Sequence, residues 1–82
     1  MVKLLRSKNK NMEEKSLGET RVRIEFNPAK NSEVDQLKQK SAELINIVSA
    51  SETKNGEHAR LKALAMTAFE EGAMWAVKAA TI

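Results

Sequence analysis

The 82-residue chain has no cysteine and no tyrosine, and it carries one histidine, one proline and three glycines. Without cysteine there is no disulfide and no thiolate nucleophile. With His58 as the sole histidine a structural zinc site is nearly excluded, and that histidine lies near a predicted loop with no serine in a recognisable nucleophile elbow. The three glycines are scattered, so no glycine-rich phosphate loop exists. Glu70 and Glu71 are adjacent and point about 100° apart on a helix, so they cannot act as a carboxylate pair. No catalytic, metal-ligating or cofactor-holding residue is therefore assigned. No apolar run approaches the roughly 18 residues of a membrane span. Val2, Leu4 and Leu5 are also too short for the apolar core of a secretory signal. These features predict a soluble, cytoplasmic, non-enzymatic protein.

The formal charge of +3 is unevenly spread. Residues 1–20 hold five basic and three acidic side chains without sustained apolar periodicity, and they read as a flexible basic arm. Residues 21–82 hold nine basic and eight acidic side chains. A near-neutral folded unit argues against a general nucleic-acid binder, which carries a basic stripe. It leaves room for a small anion in a local pocket. A domain of this size rarely draws more than ~3–5 kcal/mol from one core, so it needs a staple. With disulfides and metal removed, oligomerisation is the staple that remains.

"RVRIEF" (residues 21–26) alternates, with Val22, Ile24 and Phe26 on one side, and predicts a short extended segment closed by Asn27-Pro28. Ser32 is the expected N-cap of a first long helix over residues 32–50. Its stripe is Val34, Leu37, Ser41, Leu44, Ile45 and Val48. Gly56 reads as the stop signal after it. A second long helix is expected from near Glu57 almost to the end. Apolar and small residues wrap more than half of it: Leu61, Leu64, Ala65, Ala68, Gly72, Trp75, Ala76 and Ala79 in one row, and Met66, Phe69, Ala73, Met74 and Val77 in another. One neighbouring helix covers only one side of such a surface. The fold class predicted is all-α: an antiparallel two-helix hairpin with a short extended N-terminal segment, assembled into a homo-oligomeric bundle. Gly72 beside Trp75 then marks a close approach of helices between copies; the competing reading has Trp75 covering its own first helix.

The junction "EFNPAKNS" carries the usable chemistry. Phe26 offers a face on which a base can stack, worth ~1–3 kcal/mol. Asn27, held next to Pro28, offers an amide for a base edge. The start of the following helix favours an anion, and Lys38 lies within reach of it. The competing reading makes Phe26 an apolar staple over the hairpin and Lys38 a solvated surface lysine.

"RVRIEFNPAKNSEVDQLKQKSAELI" with "HARLKALAMTAFEEGAMWAVKAAT" resembles the phage helical-hairpin proteins that sequester cyclic-nucleotide immune signals, the anti-CBASS and anti-Thoeris sponges. The resemblance spans about residues 21–82. It implies a non-enzymatic homohexamer acting in the cytoplasm of an infected bacterial host cell. Pockets between protomers would hold cyclic dinucleotides, with cyclic trinucleotides or cyclic ADP-ribose derivatives at other sites in some members. By the same resemblance Phe26 stacks on a base, Lys38 of the Leu37-Lys38 pair meets a phosphate, and Arg60 in "HARL" lies near a second kind of pocket. The better-known branch carries a tyrosine and an arginine where this chain has Phe26 and Asn27-Pro28, which leaves the ligand's identity open.

Two functions from different classes are consistent with these residues. In one, a homo-oligomer holds cyclic oligonucleotides without hydrolysing them. A two-fold interface presents each residue twice, matching a ligand with two bases and two phosphates. In the other, a nucleic-acid accessory protein dimerises through the hairpin and uses the basic arm on phosphate. The charge balance of residues 21–82 favours the first.

Overall fold

A computed structural model describes residues 14–82 and shows three α-helices and no strand among them. Helix α1 spans Leu17–Val22, α2 spans Ser32–Ala50 and α3 spans Gly56–Ala80. The long helices α2 and α3 pack as the expected hairpin. Most of the basic arm lies outside the described residues, but its boundary at residue 20 falls inside α1. Residues 17–20 are part of the folded unit.

The extended segment expected at 21–26 is absent, because a stronger local signal precedes it. Ser16 and Glu19 form a capping box: the Glu19 N–H donates to Ser16 Oγ at 3.1 Å and the Ser16 N–H donates to Glu19 Oε1 at 2.9 Å. This satisfies two otherwise orphaned donors and starts a helix just upstream of the alternating residues. The helix closes by a Schellman-type pattern, with Ile24 N–H on Glu19 O at 3.0 Å and Arg23 N–H on Thr20 O at 3.2 Å. Arg23 is left-handed at φ 56°, a conformation that costs a non-glycine residue about 1–2 kcal/mol. An alternating segment with no partner strand cannot compete. Val22 is buried, whereas Phe26 is exposed, so the alternation does not mark one face.

Helix α2 is capped one residue earlier than expected. Asn31, not Ser32, is the N-cap; its Oδ1 accepts from Glu33 N–H at 2.8 Å and Val34 N–H at 3.2 Å. The buried stripe also differs from the heptad reading. Val34, Lys38, Ala42 and Ile45 are buried, while Leu44 is 44% exposed. Gly56 does not stop α2, which ends at Ala50; it is the first residue of α3, behind an Asn55 N-cap whose Oδ1 accepts from His58 N–H at 2.8 Å.

The core is small: Val22, Ala42, Ile45 and Ala73, with Ile24, Met66 and Phe69 packed against it. The Cα atoms span only 11 Å in the thinnest direction, little more than one helix layer. A layer this thin leaves large apolar side chains bare. On α3, Leu61, Leu64, Met74 and Trp75 are each half exposed or more. Trp75 does not cover α2; its Nε1–H turns to Glu71 Oε2 on its own helix at 3.3 Å. An alanine Cβ built at Gly72 meets nothing within 4 Å among the described residues, so none of them packs closely on Gly72. No described helix is long and apolar enough to cross a membrane.

Candidate functional site

The turn between α1 and α2 and the C-terminal half of α3 enclose a cavity of about 490 Å³. Arg21, Arg23, Phe26 and Lys38 line one wall, and Thr67, Glu70, Glu71 and Met74 line the other. Of the five residues expected to contact ligand, Phe26 and Lys38 are brought together here. The Lys38 ammonium lies over the Phe26 ring, 5.3 Å from its centroid.

Lys38 is neither a solvated surface lysine nor a free reaching arm. It is 5% exposed. Its ammonium donates to Arg23 O at 2.8 Å and to Phe26 O, holding the turn after α1 onto α2. An ammonium has three donors, so one is without a partner among the described residues. Burial, and after it the neighbouring Arg23 guanidinium, lower its pKa from the ordinary lysine value, with Asp35 opposing. Periodicity does not reveal this environment, because Lys38 falls on the buried stripe of α2 at a position where a leucine would be expected.

Phe26 is 66% exposed, so it is not a staple over the hairpin. Its ring borders the cavity on one side and a second recess, shared with Arg23 and Glu25, on the other. The Asn27 amide is engaged within its own turn. Its Oδ1 accepts from Asn31 N–H at 3.0 Å, and its Nδ2 donates to Asn31 O at 2.7 Å and Asp35 Oδ1 at 2.9 Å. The amide is fully engaged in shaping the turn that carries the exposed Pro28, and neither residue lines the cavity. Arg60 belongs to the other end of the hairpin, about 20 Å along α3 from Met74. It is exposed and pairs with Glu57, Nε–Oε1 2.9 Å and Nη2–Oε2 2.8 Å.

Arg21 and Arg23 are the cavity residues that sequence reasoning missed. Both stood on the polar side of a supposed extended segment. The signal that finds them is the Ser16-x-x-Glu19 capping box, which turns "GETRVR" into a helix end facing α3. Arg21 reaches across: Nε donates to Glu70 Oε1 at 2.7 Å and Nη2 to Thr67 Oγ1 at 3.3 Å. Gly18 allows α1 to lie this close. Its N–H donates to Asn46 Oδ1 at 2.8 Å, and Asn46 Nδ2 donates to Ser16 Oγ at 3.0 Å.

Helix α1, the turn and both arms of the hairpin coincide with a family match, described as the Acb2/Tad1 hairpin domain, over residues 18–81. The chain belongs to the Acb2/Tad1 hairpin family. This is the phage anti-CBASS and anti-Thoeris sponge family, whose members bind and sequester rather than transform. The match begins inside α1, so the Acb2/Tad1 hairpin includes residues that the arm boundary at 20 had left out. No curated protein and no solved structure gives a significant match to the chain.

Proposed function

We propose that this Acb2/Tad1 hairpin is a non-enzymatic sponge that binds cyclic oligonucleotide signals, cyclic dinucleotides first among them, at the Phe26 cavity. The observation that carries the reading is a mostly exposed aromatic ring fixed among three cations, Arg21, Arg23 and Lys38, in a family of sequestering proteins. The Lys38 ammonium occupies one face of the ring, which leaves the other for a base. Phosphate contact falls to the third Lys38 donor and to Arg23. An arginine at a left-handed position that glycine would occupy without strain fits a functional use.

The working form is a homo-oligomer, and the hexamer implied by the family is the assembly proposed. The support is the bare face of α3, where Trp75 and Met74 stand exposed beside Gly72. Two copies of the cavity brought together by a two-fold axis supply two rings and paired cations, matching a ligand with two bases and two phosphates. Arg60 remains a candidate contact for a second kind of ligand, a cyclic trinucleotide or cyclic ADP-ribose derivative, at the far end. Action inside the cytoplasm of an infected bacterial cell follows from the same reading. Calorimetric titration with cyclic dinucleotides and trinucleotides tests it. Saturable binding by the wild type is expected, and Phe26→Ala weakens it roughly 5- to 150-fold per site by loss of stacking. Wild-type affinity in Phe26→Ala would move the site elsewhere.

A further inference from the structure

Arg21 is the one cavity cation already held by a carboxylate of the opposite wall. Its side chain is 25% exposed and that of Glu70 is 44% exposed, with 2.7 Å between Nε and Oε1. The contact ties α1 to α3 across the cavity mouth. A guanidinium has five N–H donors in a rigid fork. Only two of Arg21's have partners among the described residues, Glu70 and Thr67. Phosphate is a bidentate match for such a fork. A carboxylate in the way is both a competitor for the guanidinium and a like charge to the ligand. Three cations and two carboxylates line the cavity, so a dianion enters a site whose net positive charge is small, and each carboxylate weighs heavily.

We infer that Arg21 is a phosphate contact held in reserve by Glu70, and that ligand entry exchanges the Arg21–Glu70 pair for an Arg21–phosphate pair. The inference deepens the sponge reading and rests on it. Glu70 then sets how strong an anion must be to open the contact: a cyclic dinucleotide with two phosphates displaces it, whereas a lone carboxylate ligand does not. The exchange needs no backbone motion, because Arg21 and Glu70 are both on the cavity wall.

Glu70→Gln separates this role from a merely structural one. Glutamine keeps the size and an acceptor oxygen but removes the competing charge. If the pair only holds α1 in place, the variant binds the ligand as the wild type does or more weakly. If the pair is exchanged, the variant binds more tightly, by roughly tenfold at the effective dielectric of a protein surface. Arg21→Gln should weaken binding by a similar factor, and in the Arg21→Gln background Glu70→Gln should gain less than in the wild type, recovering only the relief of like-charge repulsion. The probes are cyclic di-AMP and cyclic di-GMP, titrated calorimetrically into full-length wild type and the three variants, with thermal melts confirming folding. A gain from Glu70→Gln that shrinks in the Arg21→Gln background supports the exchange, and a gain of equal size in both backgrounds overturns it. Unchanged or weaker binding by Glu70→Gln, with a wild type that binds, overturns the exchange and leaves the sponge reading standing. No binding by wild type or Glu70→Gln overturns both.

Discussion

Gly18→Ala probes the link between the fold and the site, and its cost can be worked out atom by atom. An alanine Cβ at this position would lie 2.1 Å from Ala42 O, 2.7 Å from Ala42 C and 2.8 Å from Ala42 Cα. All three atoms are backbone of α2, so no side chain can turn aside. Helix α1 has to withdraw by roughly 1.4 Å before the contact reaches an ordinary ~3.5 Å. Overpacking of this kind typically costs ~1–3 kcal/mol. The withdrawal also strains the 2.8 Å Gly18 N–H to Asn46 Oδ1 bond, worth ~0.5–1.5 kcal/mol. Against this, alanine gains ~1 kcal/mol over glycine inside a helix. The net loss is ~1–3 kcal/mol, or a melting point lower by roughly 5–20 °C for a domain of this size. The α2–α3 hairpin does not use Gly18, so helical circular dichroism should fall only slightly. Amide protection in α1 and cyclic-dinucleotide affinity should fall together, because α1 leads directly to Arg21, Arg23 and Phe26. A Gly18→Ala protein with wild-type melting, α1 protection and affinity would refute the claim that α1 positions the cavity.

Trp75→Ala tests the bare face of α3: light scattering should give several times the 9.1 kDa chain mass for the wild type and a smaller species for the variant. A well-folded wild-type monomer would refute the proposed assembly. Lys38 predicts a pH effect whose sign follows from its environment. Its folded pKa is lowered, chiefly by burial, so between that value and the unfolded ~10.4 the unfolded chain binds more protons and this lysine's contribution to stability rises with pH. Urea titrations of wild type and Lys38→Met at about pH 8 and about pH 10 should show the difference moving in the wild type's favour at the higher pH; a difference that stays flat would contradict the burial cost.

The hairpin was legible because its signals are long and redundant. Residues 32–50 carry an apolar stripe, and residues 57–80 are apolar over most of a helix surface, so small errors in capping did not matter. Asn31 replaces Ser32 as the cap of α2, and Gly56 opens α3 behind Asn55 rather than stopping α2, without changing the architecture. Helix α1 was not legible from periodicity, since six residues hold less than two turns. Its evidence was the Ser16–Glu19 pair, which lay inside a stretch read as an arm. Reading that stretch as an arm hides Arg21 and Arg23, two of the three cations on one wall. Phe26 was identified correctly as available, because an aromatic next to Asn-Pro has little helix to bury in. Lys38 was placed near Phe26 but given the wrong environment. A lysine in a core stripe is intelligible only once the carbonyls of Arg23 and Phe26 are seen to be its partners, and those carbonyls are presented by a turn that the sequence reading had drawn as a strand.

The central claim is that the protein holds a cyclic oligonucleotide without altering it. The most direct measurement is recovery. The wild-type protein is saturated with a cyclic dinucleotide, freed of excess ligand by gel filtration, and heat-denatured, and the released nucleotide is quantified by chromatography. Intact cyclic ligand is expected in stoichiometric proportion to the protein assembly, with none carried through by a protein whose Phe26 is replaced by alanine. Linear nucleotide in the released fraction would make the protein an enzyme, and no retained ligand at all would remove the sponge.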